Sequence, residues 1–327
     1  MNEYDCLVIG AGMSGLMAAG KLSDRGLHVF VADKGRKVGG RMATRISGRL
    51  RFDHGAQIIR ATGAAFALSV ENWRKAGILK ICDYPSPETS RNEDGKKYCV
   101  PAGFAELPRF LADGLNVRTG CRVMRLTRES DRWLAETADG DSYSARAVIM
   151  TPPVPQSLDL LKSGGTVLPE EIADRLRRVR YEPCLTLMLR GEVSKRLAAA
   201  PFVRPGGETV SLLVNNYAKG VSPEPGTVTV HTTGTFSEDH WSDDDDSIID
   251  RLFDECREYF RYSDGYLRVH RWRYSRIVTA SPKPCEIMES PGLLALAGDA
   301  FSGRDIEGAC LSGLAAAEAI IHRLASN

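Results

Sequence analysis

The 327-residue sequence predicts a mixed α/β protein with one parallel-sheet domain and a second, mixed-sheet domain. Three observations predict this fold class. A strand, a glycine-rich turn, a helix and another strand follow one another at the N-terminus, and a strand, several glycines and a long helix close the chain. Between them lie short segments rich in β-branched residues. Alternating strands and helices are typical of a parallel sheet covered by helices, and the central segments are typical of sheet strands.

The composition is that of a globular protein without a strong electrostatic bias. Hydrophobic residues make up 43% and charged residues 26%, and the formal net charge is +1, so no overall field favours nucleic acid or an anionic membrane. Apolar runs are far shorter than the roughly 18 residues of a membrane span. The N-terminus lacks the pattern of a signal peptide, so we expect a cytoplasmic protein. Eight cysteines without a C-x-x-C pair predict reduced thiols and neither a metal site nor a disulfide framework.

The first predicted unit lies near the N-terminus. Residues 4–9 (YDCLVI) indicate a buried strand, residues 16–25 a helix and residues 28–32 (HVFVA) a second strand. GAGMSG, at residues 10–15, follows the G-x-G-x-x-G pattern between the first strand and the helix. Because both strands and the helix accompany the pattern, it predicts a dinucleotide-binding site. A glycine-rich turn in another kind of α/β protein is the alternative.

Each glycine of this pattern has a physical role in nucleotide binding. Gly10 permits the tight turn, Gly12 lets the backbone approach a pyrophosphate, and Gly15 allows close packing of helix on strand. The N-terminus of the helix directs the positive end of its dipole toward that pyrophosphate. Asp33, which follows the second strand, is placed to accept hydrogen bonds from the adenosine ribose. Its charge would repel a phosphate on that ribose, which argues against NADP at this site.

A second glycine-rich segment follows directly. KGRKVGGRM, at residues 34–42, is a feature that plain nicotinamide dehydrogenases do not need. Gly39 and Gly40 leave backbone exposed, and Arg41 can pair with a phosphate as a planar fork. A basic, solvated loop is the alternative interpretation.

A strand and a helix near the C-terminus predict further cofactor contacts. Residues 292–297 (GLLALA) form the predicted strand, GDAFSGRDIEG follows it, and residues 310–324 form the predicted helix. Asp299 would contact a ribityl or phosphate-linked hydroxyl, and the amides of Gly308 and Ala309 would face the pyrimidine edge of a flavin. Alternatively, Asp299 is only a helix N-cap and the glycines are turn residues. Together with KGRKVGGRM, this segment predicts FAD.

The remaining segments complete two discontinuous domains. The predicted elements are a helix at 103–111, a hairpin at 121–128 and 133–137, strands at 147–150, 186–190, 210–214 and 227–233, and a helix at 248–260. The acidic run at 243–246 is predicted to lie at the N-terminus of the helix at 248–260, where the helix dipole favours negative charge. A calcium site is not predicted, because EF-hand spacing is absent. We assign residues 1–60, 101–155 and 285–327 to the FAD-binding domain, and residues 61–100 and 156–284 to the substrate domain.

These motifs resemble those of a known family. GAGMSG, Asp33, VGGRM and GDAFSGRDIEGACLSG are similar to the FAD-binding motifs of glutathione-reductase-type flavoproteins. A narrower resemblance to the renalase branch of the flavin amine oxidase-like proteins rests on DHGAQ at 53–57, TPPVPQSL at 151–158, VNN at 214–216, VHTTGTF at 230–236 and HRWRYS at 270–275. The resemblance implies a Rossmann-like FAD-binding domain of the glutathione-reductase type (amine oxidase and p-hydroxybenzoate hydroxylase-like), with a second mixed-sheet substrate domain.

The resemblance also implies an activity and its residues. Renalase-like proteins oxidise isomers of NAD(P)H that carry hydride on C2 or C6 to NAD(P)+, and O2 then reoxidises the flavin and yields hydrogen peroxide. The implied partners are this small-molecule substrate and O2, without nucleic acid or membrane. The implied contacts to non-covalent FAD are Gly10, Gly12, Met13, Ser14, Gly15, Asp33, Lys34, Gly40, Arg41, Met42, Ala56, Gln57, Val123, Thr151, Gly298, Asp299, Glu307, Gly308 and Ala309.

Gln57, Ile58, Tyr98 and Trp272 are the candidates for the walls and hydrogen bonds of the substrate site. Glycine and alanine before Gln57 would allow it to approach the flavin closely. Tyr98 and Trp272 are large aromatic residues of a kind that more often belongs to a core. His231 lies in a strand-like segment, where a hydrogen-bonded core histidine is the better interpretation than a general base.

Three alternatives stay open on the sequence alone. Asn216 and Lys219 either touch substrate phosphates or face solvent. Ile58 stands where the family usually has an aromatic residue, which leaves open a different donor, such as a primary or secondary amine or a metabolite that is desaturated. A flavin-binding protein without turnover is a third class.

Overall fold

The computed structural model describes residues 2–82, 96–303 and 305–326. The chain divides into two compact units, Met1–Gly40 with Pro108–Arg180 and Ile277–Asn327, and Arg41–Leu107 with Tyr181–Arg276. Relative to the predicted boundaries, residues 41–60 and 101–107 belong to the second unit, and residues 156–180 and 277–284 to the first. The FAD-binding and substrate-binding roles of the two domains stay predictions. Residues 83–95 of the predicted substrate domain lie outside the described residues.

The secondary structure is numbered in chain order. The strands are β1 Asn2–Ile9, β2 Val29–Asp33, β3 Thr44–Ser47, β4 Leu50–Asp53, β5 Ile59–Ala61, β6 Lys80–Ile81, β7 Lys96–Cys99, β8 Val117–Thr119, β9 Val123–Glu129, β10 Arg132–Thr137, β11 Ser142–Met150, β12 Arg180–Val193, β13 Phe202–Val203, β14 Val210–Asn215, β15 Thr227–Thr232, β16 Phe260–Thr279, β17 Glu286–Met288 and β18 Leu293–Leu296. The helices are α1 Met13–Ser23, α2 Ala64–Lys75, α3 Glu106–Ala112, α4 Val154–Ser163, α5 Glu170–Arg177, α6 Lys195–Ala198, α7 Gly234–Asp239, α8 Asp245–Cys256 and α9 Ile306–Ala325.

The first unit contains a sheet in the order β17-β18-β11-β1-β2-β8. The pairs β18–β11, β11–β1, β1–β2 and β2–β8 are parallel. The β9–β10 hairpin pairs through β10, antiparallel, with the first half of β11, and β18 pairs with the second half. Residues 6–9 of β1 are apolar and buried, and Cys6 and Val8 share one core with residues of helices α1 and α9. The predicted N-terminal strand, glycine-rich turn, helix and second strand are confirmed, as is the C-terminal strand and helix.

The second unit is built around the sheet β13-β14-β15-β12-β16, with a β3–β4 hairpin and the small sheet β5-β7-β6. Strand β15 pairs antiparallel with both β12 and β14. Leucines of β12 and valines of β15 form one core with the apolar face of α8, as expected where sheet side chains point alternately to a covered face. The three predicted strands of this region are therefore confirmed.

The start of α3 and the end of α8 differ from their predicted positions. Helix α3 begins at Glu106 and not at residue 103, because Gly103 adopts φ +103° in a preceding turn. Helix α8 ends at Cys256, four residues before the predicted end, and its N-cap is Asp244, which accepts the N–H of Ser247. The predicted location of the acidic run is thus confirmed. Within the described ranges, no helix has the length and apolar character needed to cross a membrane.

Candidate functional site

The turn between β1 and α1 in the first unit tolerates only glycine at two positions. Gly10 adopts φ +103°, and a Cβ there would lie 2.4 Å from Thr151 Oγ1. At Gly15 a Cβ would lie 1.9 Å from the backbone oxygen of Gly10. Thr151 supports the turn by donating its hydroxyl to the backbone oxygen of Ile9 at 2.9 Å. Gly10 and Gly15 therefore cannot carry side chains in the segment where the sequence predicts a pyrophosphate.

The N-terminus of α1 lacks a side-chain cap. Its N-cap, Gly12, supplies no side-chain acceptor to the first turn. Ser14 in that turn is only 4% exposed, and its Oγ has no hydrogen-bond partner among the described residues. Buried hydroxyls normally have partners, and free N–H groups at a helix N-terminus favour an anion. Both features fit a phosphate oxygen of a bound dinucleotide.

Asp33 and the segment after it lie against the turn between β1 and α1. The two carboxylate oxygens of Asp33 accept the N–H groups of Ala11 and Gly35, each at 2.6 Å. Each oxygen keeps a further lone pair that can accept a ribose hydroxyl. The N–H of Gly39 donates to the oxygen of Ala11 at 2.8 Å, and a Cβ on Gly40 would lie 3.7 Å from Gly12 Cα. This packing argues against a merely solvated basic loop.

The C-terminal segment differs from its predicted detail. The N-cap of α9 is Asp305, so the alternative that Asp299 caps this helix is wrong. Asp305 Oδ1 accepts the N–H of Gly308 at 2.9 Å, and its backbone oxygen accepts the N–H of Ala309 at 3.0 Å. The two amides predicted to face a flavin already have acceptors within the helix, so such a contact would have to share their hydrogens.

The other predicted cofactor residues of the first unit lie on several elements of that unit. Lys34 Nζ donates to Gln156 Oε1 at 2.7 Å. Val123 is the first residue of β9 and pairs with Thr137. Gly298 adopts φ +144° directly after β18 and donates its N–H to Ser312 Oγ at 3.0 Å. Met13 and Glu307 are buried in the first turns of their helices.

Arg41 and its neighbours belong to the second unit. Arg41 Nη1 donates to the backbone oxygens of Tyr274 and Ser275, at 3.2 and 3.3 Å, inside the HRWRYS motif. The backbone oxygen of Arg41 accepts the N–H of Ala56 at 2.9 Å, and Met42 is buried. The guanidinium thus anchors the motif on β16, and its predicted phosphate contact stays a prediction.

A buried polar network lies at the centre of the second unit. Lys219 is 1% exposed, and its ammonium donates to Asp53 Oδ2 and Gln57 Oε1, both at 2.7 Å. Asp53 is fully buried, and its Oδ1 accepts the Thr44 hydroxyl at 2.6 Å and the N–H of Phe104 at 2.9 Å. The network fixes the DHGAQ segment from within the fold.

Asn216 and His231 extend this network. Asn216 is fully buried, accepts the N–H of Asp53 at 3.0 Å and donates to Thr229 Oγ1 at 2.9 Å. His231 Nε2 lies 3.0 Å from Gln57 Nε2. The alternative that Asn216 and Lys219 face solvent is wrong, because both residues are buried in the turn that follows β14. The expectation that His231 is a hydrogen-bonded core histidine is confirmed.

The remaining substrate-site candidates occupy different surroundings. Trp272 is half-buried, stacks on His54 with ring centroids 5.4 Å apart, and donates its Nε1–H to the oxygen of His54 at 2.7 Å. Tyr98 is buried on β7 opposite Ile59. Ile58 packs against a small apolar cluster that includes Phe202. Trp272 therefore joins the DHGAQ segment, whereas Ile58 and Tyr98 lie at the small sheet.

Burial keeps two histidines of the second unit neutral. Desolvation, with the nearby His54 and Lys219, lowers the pKa of His231 to about 3. Desolvation, with His270 and Arg45, lowers the pKa of His54 to about 4. Because burial disfavours the charged imidazolium, each of these histidines takes up a proton only at a pH far below the ordinary pKa of histidine.

These shifts predict acid sensitivity of the fold. Both folded-state pKa values lie below 6.5, so the unfolded chain binds protons first and the free energy of unfolding should fall as the pH drops below about 6.5. The slope should reach ~1.4 kcal/mol per pH unit for each histidine and vanish near pH 3 to 4. Urea unfolding as a function of pH measures it. His231→Gln should flatten the curve and His28→Gln, at an exposed site, should not; equal curves for all three proteins would contradict the prediction.

Of the two partners of Lys219, the sequence predicts Gln57 as a site residue but not Asp53, although Asp53 begins the DHGAQ motif. Thr44, which donates to Asp53, is not predicted either. An acidic residue at the end of a strand and two positions before a glycine is a weak signal for a buried carboxylate. Asp53 and Lys219 are 166 residues apart, so no local spacing connects them.

Comparison with known proteins identifies the fold and the family. Residues 82–321 match the model of the flavin containing amine oxidoreductases, and residues 8–69 that of the NAD(P)-binding Rossmann-like domains. Renalase from Mus musculus is 24% identical over 329 residues, which cover 94% of this chain and 96% of that protein. The predicted α/β fold with a Rossmann-like FAD-binding domain is confirmed.

Solved structures agree on the fold. A putative protoporphyrinogen oxidase from Exiguobacterium sp. 255-15 superposes with a TM-score of 0.74 at 14% identity, over 98% of this chain and 99% of that chain. Cyclohexylamine oxidase from Brevibacterium oxydans IH-35A gives the same TM-score, identity and coverage. At this identity the likeness concerns the fold alone.

Proposed function

Since the chain belongs to the family of flavin containing amine oxidoreductases and its cofactor is FAD, we propose that it oxidises isomers of NAD(P)H that carry hydride on C2 or C6. The products are NAD(P)+ and, with O2 as the final acceptor, hydrogen peroxide. When bound, FAD supplies a hydride acceptor at N5 and a route for the electrons to O2.

One observation carries the proposal: motifs shared with the renalase branch, far apart in sequence, meet in one place in the second unit. DHGAQ contacts VNN through Asp53 and Asn216, VHTTGTF through Gln57 and His231, and HRWRYS through the Trp272 donor to His54. The similarity to mouse renalase also extends along nearly the whole of both chains. Agreement at several contacting motifs supports a shared arrangement better than a single motif does.

We assign the cofactor contacts to the residues whose surroundings fit them. Gly10, Gly12 and Gly15 leave the backbone free for a pyrophosphate, and Ser14 Oγ supplies a hydroxyl to it. Asp33 accepts hydrogen bonds from the adenosine ribose with its remaining lone pairs.

The proposed oxidation requires little acid–base catalysis by the protein. Oxidation of a dihydropyridine gives an aromatic pyridinium and releases no proton from the ring, so the residues must mainly orient the substrate and exclude water. The lowered pKa values of His54 and His231 agree with this, because neither imidazole is a good general base at neutral pH. Trp272, half-buried and held by His54, is our candidate for a wall of the substrate site.

A second candidate function is FAD-dependent oxidation of an amine or desaturation of another small metabolite. Two observations favour it. Ile58 replaces the aromatic residue that the renalase-like proteins usually have, and its side chain packs into an apolar cluster. One protein of the same fold is a cyclohexylamine oxidase.

Anaerobic bleaching of the flavin distinguishes these candidates. We expect 6-dihydroNAD(P) to bleach the yellow, FAD-loaded protein at least ~10²-fold faster than ordinary NADH, because the site selects the position of the donor carbon. Stopped-flow absorbance measures the rate, and admission of air should restore the colour and release hydrogen peroxide. Rapid bleaching by amines, with none by the isomers, would favour the second candidate. A flavin that no donor bleaches would indicate a binding protein.

A further inference from the structure

Lys219 carries a positive charge deep inside the second unit. Two of its N–H groups reach Asp53 Oδ2 and Gln57 Oε1 at 2.7 Å, and its Nζ lies 4.8 Å from the centroid of the Phe104 ring. A buried ammonium is costly unless it is paired and hydrogen-bonded. Asp53 alone would compensate the charge, so the bond to Gln57 calls for a separate explanation.

The bond to Lys219 determines which way the Gln57 amide points. An ammonium can only donate, so the amide atom that faces it must be Oε1. The opposite end, Nε2, lies 2.8 Å from the oxygen of Asp53 and 3.2 Å from the oxygen of Gly55. Both of these oxygens can only accept, so every neighbour of the amide requires the same orientation.

The amide orientation in turn determines where the His231 proton lies. Gln57 Nε2 is a donor 3.0 Å from His231 Nε2, so this ring nitrogen must carry the lone pair. The ring proton is then on Nδ1, which faces Thr186 Oγ1 at 3.3 Å and Cys184 Sγ at 3.8 Å. Burial lowers the pKa of His231 to about 3, so the ring is neutral at physiological pH.

We propose that Gln57, whose amide is oriented by Lys219 and by the backbone oxygens of Asp53 and Gly55, fixes the Nδ1–H tautomer of His231. Lys219 is the positioning residue that holds residues 53–57 in one arrangement for catalysis. The catalytic part rests on the proposed function, because that function places Gln57 at the substrate. The amide orientation and the tautomer do not depend on any substrate.

Removal of Lys219 should loosen this segment without reversing the amide. In Lys219→Met, Gln57 Oε1 and Asp53 Oδ2 lose a donor, but the backbone oxygens of Asp53 and Gly55 still require Nε2 on their side. His231 should therefore keep its proton on Nδ1. Gln57→Glu places an acceptor against His231 while Lys219 remains, and should move the same proton.

The test is nitrogen-15 NMR of FAD-loaded protein labelled at histidine, with the signals of His231 identified by their loss in His231→Gln. We expect the Nδ1–H tautomer in the wild type and in Lys21→Met, a surface lysine paired with Glu318. We expect the Nδ1–H tautomer in Lys219→Met as well, and the Nε2–H tautomer in Gln57→Glu. A merely structural Lys219 would lower stability and leave the rate of flavin reduction by the folded protein unchanged.

The readouts separate this proposal from the proposed function. An Nε2–H tautomer in the wild type, or an unchanged tautomer in Gln57→Glu, overturns it even if Lys219→Met does not fold. With any donor that bleaches the flavin, Lys219→Met should slow flavin reduction at saturating donor by about 10²-fold, as for a small misplacement of a positioned group, and change the KM much less. If the isomers of NAD(P)H fail as donors, the proposed function falls and the NMR result still decides the role of Gln57.

Discussion

A Gly15→Ala substitution is expected to abolish the retention of FAD by the purified protein. A Cβ at this position would lie 1.9 Å from the backbone oxygen of Gly10 and 3.1 Å from Thr151 Oγ1. A backbone oxygen cannot rotate away, so the turn or the helix has to move, and with it the uncapped N–H groups and the Ser14 hydroxyl. We expect the Kd for FAD to rise about 100-fold, which corresponds to ~2.8 kcal/mol, and the overpacking to cost ~1–3 kcal/mol of stability.

The matched control is Gly20→Ala in the same helix. A Cβ at Gly20 would meet nothing within 4 Å, so the substitution should stabilise α1 by ~0.5–1 kcal/mol and leave the Kd unchanged. Flavin absorbance after gel filtration and titration of the apoprotein with FAD measure both effects. If Gly15→Ala binds FAD as tightly as Gly20→Ala, the predicted role of this turn in holding the pyrophosphate is wrong.

An Asp53→Asn substitution is expected to destabilise the protein by about 3–5 kcal/mol. The asparagine keeps the shape of the side chain and removes its charge, so the Lys219 ammonium, 1% exposed, is left without its counterion. The Thr44 hydroxyl and the Phe104 N–H keep an acceptor only if the new amide turns its oxygen toward them. Urea unfolding of the FAD-loaded protein measures the loss.

Two comparisons identify the cause of that loss. Glu71→Gln removes an exposed ion pair of the same unit, at 2.8 Å from Arg74, and should cost less than ~0.5 kcal/mol. The double variant Asp53→Asn/Lys219→Met removes both buried charges and should recover part of the stability lost in Asp53→Asn. A cost for Asp53→Asn no larger than that for Glu71→Gln would show that the buried charge is compensated in another way.

Local patterns made the nucleotide-binding half of the protein predictable. A short apolar strand, a G-x-G-x-x-G turn and a helix with one apolar face require only neighbouring residues, because each element forms from its own periodicity and turn chemistry. Helix ends were less predictable. The residue that caps α9 is Asp305 and not Asp299, since the cap depends on the path of the loop between them.

The interior of the second unit was not predictable in the same way. A lysine that follows a strand is usually exposed, and nothing near Lys219 in sequence indicates the carboxylate that it meets. The hydrogen-bond direction of Gln57 and the tautomer of His231 depend on three chain segments that contribute donors and acceptors to one small volume.

The sequence by itself determined the fold class, the cofactor and the bare backbone of the turn after β1, because glycine spacing and hydrophobic periodicity act over a few residues. Only the tertiary structure decided that Asp53, Gln57, Asn216, Lys219 and His231 form one buried network. The physical reason is that a charge or an amide can be buried only where partners from distant strands replace its hydration, and that condition is met by the assembled sheet and by no single segment.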